Sequence, residues 1–242
     1  MATPRERFLD ALKFLQQLQE KGAIGIHTDD IPNRKYREIL TKNGFIREVA
    51  KGWYIATDPG AKDGETTAWY SSYWDFIAVF LNHRYGDNWC LSADQSLLIH
   101  AGNQSVPQQL LIRSPHGNNH PSALPHNTSL FNLRGELPSA NQLVVTDNGI
   151  RMYNLQSALI YSAATIYTRN AIDARTALSL IRDASELLPI LLEKGHTTLA
   201  GRLAGALRNI NRGRIADQII DTFKQADYDI REEDPFEIKI DL

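Results

Sequence analysis

The sequence predicts an α+β fold: an N-terminal unit of helices and short strands, a mixed α and β middle section, and an all-helical C-terminal region. Three observations carry this prediction. Apolar residues recur at helical spacing near the start, and short runs of strand formers then flank Lys51-Gly52. Residues 66–153 alternate helical and strand patterns around turn residues. From residue 154 on, only helical periodicity remains.

The elements follow in order. Pro4 opens an amphipathic helix that places Phe8, Leu12, Leu15 and Gln19 on helical spacing. Residues 23–26 are a short strand candidate. A basic helix starts after Asn33, whose side chain can accept from a free first-turn N–H. It stops at Asn43-Gly44, two residues that tolerate the left-handed conformation. Residues 45–49 and 53–57 are two strands around an Ala-Lys-Gly turn, where Gly52 can supply a positive φ. Residues 58–65, DPGAKDGE, are turn-rich and mark the expected domain boundary, dividing the chain into 1–60, 66–153 and 154–242.

In the middle section, Ser71 or Ser72 is expected to cap a helix ending near Gly86, and Ser92 a second helix over 93–100. Residues 108–113 and 129–133 read as strands, 116–126 as an irregular loop, and Asp147-Asn148-Gly149 as a hairpin turn. Helices are expected over 155–167, 174–184, 187–194, 198–210 and 214–226, ahead of an acidic tail.

Over the first 60 residues, this order of parts is that of a winged helix-turn-helix. In the basic helix, Tyr36, Ile39 and Leu40 share the face that would pack on the first helix. Arg34, Arg37 and Thr41 project from the other side, with Lys35 and Lys42 flanking and Glu38 between them. An α-helix fits the major groove of B-DNA, where Arg can make two hydrogen bonds to guanine. Lys and Arg at helix ends can neutralise phosphates. Lys51 would sit at the wing tip and Arg47 on its flank, both within reach of phosphate. Residues 33–51 carry six cations and two acids, a local net +4 on a chain whose formal charge is −2. Any contact with double-stranded DNA is therefore expected to be local, through Asn33, Arg34, Lys35, Arg37, Thr41, Lys42, Arg47 and Lys51. The competing reading is a solvated helix face on which Glu38 pairs with Arg34 and Lys42.

Composition narrows the alternatives. Hydrophobic content of 43% and charged content of 22% are those of a globular protein. An isoelectric point near 6.4 argues against a nucleic-acid coating protein. The single Cys90, set in an apolar run, excludes an internal disulfide framework, fits a reducing cytoplasm and reads as a buried structural thiol. No segment has the ~18 apolar residues that span a bilayer, so no membrane role is expected. There is no Gly-rich phosphate loop, metal-ligand Cys pair or Ser nucleophile elbow, so neither a cofactor, a metal nor catalysis is expected. His116, His120 and His126 share one loop but lack neighbours that would hold them as ligands. His100 lies on the apolar side of its helix and reads as a core residue.

A second basic stretch, RLAGALRNINRGR, holds Arg202, Arg208, Arg212 and Arg214 without an acid. Residues 215–242 then carry three cations and nine acids. The four arginines could meet an acidic face of a partner protein or a second piece of DNA. Equally, they could match the acidic tail internally or stabilise helix C-termini.

The segments HTDDIPNRKYREILTKNGFIREVAKGWYIAT, NWCLSADQSLLIHAG, PQQLLIRSP and NGIRMYNLQSALIYSA, in that order over about residues 20–165, resemble the AbiEi-type antitoxin family. The resemblance implies an N-terminal winged helix that binds repeats in the promoter of its own operon. It also implies a C-terminal domain that counteracts a nucleotidyltransferase-like toxin. Carried over by position, the DNA contacts would be Arg34, Lys35, Arg37, Thr41 and Lys42, with Arg47 and Lys51 on the wing. The segment LAGRLAGALRNINRGRIADQIIDTFKQADYDIREEDPF is similar to the region preceding the catalytic domain in some Fic-family proteins. The HPF…GNGR-type Fic signature is absent, so the chain cannot be a Fic adenylyltransferase as it stands. The expected function is a non-enzymatic, DNA-binding regulator acting as an antitoxin against a cognate toxin. The alternative is a protein-interaction module that neutralises or positions a toxin or Fic-like partner without touching DNA.

Overall fold

The computed structural model describes residues 3–60, 64–193 and 195–237. Its elements run, in order, α1 (Pro4–Glu20), β1 (Gly25–His27), α2 (Arg34–Lys42), β2 (Ile46–Ala50), β3 (Trp53–Ala56), α3 (Thr67–Tyr85), β4 (Cys90–Leu91) and α4 (Ala93–His100). Next come β5 (Gln109–Ser114), β6 (Pro121–Ala123), β7 (Ser129–Arg134), β8 (Leu143–Val145) and β9 (Arg151–Tyr153). The chain ends in α5 (Leu155–Tyr161), α6 (Ile166–Arg169), α7 (Ala171–Ser179), α8 (Leu188–Glu193), α9 (Thr197–Asn209) and α10 (Gly213–Gln225). The class is mixed α+β, as expected.

Two compact units interleave along the chain. The first takes the described residues up to 89 with 106–135 and 145–150; the second takes 90–105, 136–144 and those from 151 on. This differs from the division expected at residues 58–65, which fall inside the first unit. The physical reason is Trp53. The sheet of this unit has the order β1-β3-β2, all antiparallel. One face carries Ile26, Ile46 and Tyr54, packed with Ala11 and Leu15 of α1 and Leu40 of α2. The other face carries Trp53, whose ring meets Phe76 and Phe80 of α3 edge-on at 6.1 and 5.6 Å. Burying an indole removes about 150–250 Å² from water, and here α3 supplies the cover.

α3 begins earlier than its serines suggest. Ser71 and Ser72 lie inside the helix, where their hydroxyls donate back to the Ala68 carbonyl at 3.3 and 2.6 Å. The stripe of Trp69, Tyr73, Phe76, Ile77, Phe80 and Leu81, all buried, extends the helix past the point at which a serine cap would start it. Elsewhere in this unit β5 and β7 pair in parallel, Leu110 opposite Leu130 and Ile112 opposite Asn132. β6 pairs antiparallel with β7. Residues 116–126 are therefore not wholly irregular, because β6 lies among them.

In the second unit, Leu97, Ala158, Leu159, Leu178, Leu191, Leu203, Leu207, Ile219 and Phe223 form one buried cluster. Ser92 caps α4 as expected, its hydroxyl accepting from Gln95 N–H at 3.2 Å. His100 is a satisfied residue, with Nε2 2.8 Å from the Tyr153 carbonyl oxygen. Cys90 is fully buried. One expected helix, 155–167, is broken: the chain leaves α5 at Ser162, which has φ −63° and ψ 147°. The carbonyls of Ile160 and Ser162 accept from the Arg202 guanidinium at 3.0 and 2.8 Å instead. Among the described residues, no helix is long and apolar enough to cross a membrane.

Candidate nucleic-acid interface

α2 is oriented by its apolar side. Leu40 is buried against α1, and the Tyr36 ring lies 6.2 Å from that of Phe14. The helix is capped by Asn33, whose Oδ1 accepts from Tyr36 N–H at 3.0 Å. At the other end the Asn43 amide donates to the Ile39 carbonyl at 2.7 Å, and Gly44 takes φ +74°. Anchored in this way, α2 leaves Arg34, Lys35, Thr41 and Lys42 exposed and Arg37 half-buried. Arg34 is not free: its Nε donates to Glu38 Oε1 at 2.6 Å, with side chains 81% and 56% exposed. An exposed i, i+4 pair of this kind is worth about 0.3–0.5 kcal/mol, so a phosphate or a guanine edge can displace it.

The turn between β2 and β3 is pinned on two sides. Glu48 Oε1 accepts from Gly52 N–H at 2.8 Å. The Gly52 carbonyl in turn accepts from the backbone N–H and the hydroxyl of Thr28, at 2.8 and 2.9 Å. Gly52 sits at φ +76°, where a side chain would be strained. Lys51 is thus presented, exposed, from a fixed turn.

Arg47 leaves the sheet on the face opposite the one packed on α1 and α2. It pairs with Ile55 in the β2–β3 register, and so shares the sheet face that α3 covers rather than the face that α1 and α2 cover. There it lines a cavity of about 50 Å³ with Asp58, Glu65, Trp69 and His126. Strand alternation sets its direction, and its side chain remains exposed.

A different cation takes its place. Between α1 and α2 lies a surface depression of about 470 Å³, lined by Arg7, Lys35 and Lys42 with Glu38, Ile39 and Asn43. A second depression, of about 510 Å³, is lined by Arg7, Asn33, Arg34, Lys35 and Tyr36. Arg7 therefore extends the cationic surface of α2 onto α1. Its signal in the sequence was its position beside Phe8, whose ring lies 5.9 Å from that of Phe45.

The four C-terminal arginines all have partners within their own unit. Arg202 Nη2 donates to the α5 carbonyls, and its guanidinium lies 5.6 Å from the Tyr167 ring centroid. Arg208 grips both oxygens of Glu232 and also Asp217, at 2.6 to 2.9 Å. These two carboxylates raise its pKa further still. Arg212 donates to the Ser179 carbonyl at 3.1 Å, and Arg214 to Gln218 at 3.0 Å and Asp183 at 3.4 Å. The internal match to the acidic tail is thus present for Arg208.

Among the described residues, no group of three or more His, Cys, Asp or Glu side chains is placed to hold a metal ion. No family model matches the chain, and neither does any curated protein. Its fold is similar to that of the crystal structure of the RV2827C protein from Mycobacterium tuberculosis. The TM-score is 0.56 at 14% identity, over 87% of this chain and 80% of that one. A likeness at that identity is one of fold.

Proposed function

We propose that residues up to about 57 act as a winged helix-turn-helix that binds double-stranded DNA, and that the chain is a cytoplasmic, non-enzymatic transcriptional regulator. The observation that carries this reading is the exposed cationic face of α2, continued by Arg7 on one side and Lys51 at the pinned turn. The β1-β3-β2 order and the placement of α2 immediately before β2 support it. In this reading α2 enters the major groove. Arg34, Arg37 and Thr41 face base edges, while Arg7, Lys35, Lys42 and Lys51 face phosphates. The Oδ1 atom of Asn33 is committed to the cap, so Asn33 acts by starting the helix. The antitoxin role, with promoter repeats as target and a cognate toxin as partner, rests on the family resemblance of the segments quoted above.

The test is a gel shift of the full chain on its own upstream DNA across a salt series. Sequence-specific binding that weakens steeply with salt is the expected result. No binding at low salt would overturn it and favour the alternative, an interaction module that does not touch DNA.

A further inference from the structure

The last described segment, residues 227–237, is neither helix nor strand, yet it is held along its length. The chain turns out of α10 at Asp227, with φ +59°. Ile230 is 9% exposed and joins the core of the second unit. The backbone then runs directly over Gly201 and Gly205 of α9. A Cβ at either position would collide with a carbonyl of this strap, that of Arg231 at the first and of Glu233 at the second. Glu233 N–H donates to the Gly201 carbonyl at 3.2 Å. Glu232 is held by Arg208 through two hydrogen bonds, of 2.6 and 2.9 Å, and Asp234 accepts from Asn209 at 2.7 Å. Phe236 ends the run beneath the Arg175 guanidinium, 3.9 Å away, and edge-on to Tyr167 at 5.4 Å.

We propose that this groove on α9 is a peptide-binding site, that the chain's own tail is its resident occupant, and that a partner protein competes for it with an extended acidic segment. The groove recognises main chain at Gly201 and Gly205, so it accepts any extended segment there. Its selectivity lies at the ends and in the charge. It takes an aliphatic residue at the Ile230 position, a carboxylate two residues on at Arg208, and an aromatic ring four residues beyond at Arg175 and Tyr167. Between the ends the backbone is seated on α9 while the residues stay accessible: 231–233 are exposed, and the Arg208 and Glu232 side chains keep 45% and 32% of their surface in solvent. Exposed ion pairs of this kind exchange readily and weaken with salt. Arg212 and Arg214, both exposed, lie within six residues of Arg208 and give an acidic competitor further cations to meet. An in-cis occupant lowers the apparent affinity of any competitor by its own occupancy, so the tail sets a threshold for partner binding.

The experiment uses the full chain with a protease site inserted between Ala226 and Asp227, cut after purification. The probe is a fluorescent synthetic peptide of residues 227–237. The cut and dialysed protein is expected to bind this peptide at least tenfold more tightly than the uncut chain. Binding should weaken with salt, and it should fail for a peptide carrying Glu232→Lys or a protein carrying Arg208→Glu. Equal affinity for the wild-type and Glu232→Lys peptides overturns the proposal. So does a cut strap that excess peptide cannot displace, or a cut protein that loses its helical signal, because the strap is then part of the core. Amide exchange on the uncut chain provides a second reading. Residues 228–236 should exchange well before α9 and α10, and protection equal to that of α10 overturns the proposal.

Discussion

At the scale of the residue, charge placement separates groups that a linear reading lumps together. Arg34 and Arg37 stand on the outer side of α2, and neither is among its buried residues. Either change to Ala is expected to weaken specific DNA binding by about 1–3 kcal/mol while leaving the melting temperature nearly unchanged. Operator affinity unchanged in both variants would remove α2 from the interface. Lys51→Ala is expected to weaken specific and non-specific DNA alike and to lower the slope of log affinity against log salt by about one. A loss confined to one sequence would contradict a phosphate role. Tyr167 makes a pH prediction. Burial pushes its hydroxyl up to about 12 and raises that of Tyr73 too, whereas an unfolded chain ionises tyrosine near 10. The folded protein thus keeps protons that the unfolded chain releases. The stability present below pH 10 falls as pH rises towards 12. Tyr167→Phe should flatten that fall in a series of thermal melts; an unchanged slope would show that Tyr167 does not titrate with folding. The cations of α2 were legible because they lie on a helix whose cap, Asn33, and stop, Gly44, are also legible. Arg47 was not, since its direction depends on which face of the strand α3 covers, and α3 lies beyond the turn-rich segment.

At the scale of the element, local signals predicted helices well where periodicity agreed with a cap or a Pro, as in α1, α2 and α4, or with glycine punctuation, as in α9 and α10. They failed where a distant group decided the outcome. The break after α5 has no glycine or proline to announce it. Its carbonyls are satisfied by Arg202, some 40 residues away. Arg202→Met is therefore expected to destabilise the protein by about 1–3 kcal/mol through the carbonyls it strands, with DNA affinity unchanged at temperatures where the chain is folded. A variant as stable as wild type would mean that water replaces the guanidinium. The serines of α3 misled in the opposite sense. A serine is a good cap only where the preceding residues have no reason to be helical, and Trp69 gives them one.

At the scale of the whole molecule, sequence order does not follow the compact units. The turn-rich residues 58–65 invite the expectation that residues 1–60 are an independent DNA-binding unit. Such a fragment would leave Trp53, 5% exposed in the full chain, without Phe76 and Phe80. Residues 1–60 alone are therefore expected to show no cooperative melt and no specific DNA binding. Extension through α3 should recover part of the helical signal. A sharp melt for 1–60 would show that α1, α2 and the three-stranded sheet suffice.

The parallel pairing of β5 with β7 and the return of residues 145–150 to the first unit also bear on how the chain is made. Non-local pairings form slowly, and a nascent chain folds only what has left the ribosome. The first unit cannot close until residue 150 has emerged. Until then Asn82 and Asp75 of α3 lack the Gly149 carbonyl and the Asn148 amide that they bond in the finished unit, a window in which chaperones or proteases can act. A message truncated anywhere before that point would yield no finished first unit. The cell would therefore not accumulate free, folded copies of the first unit from incomplete translation.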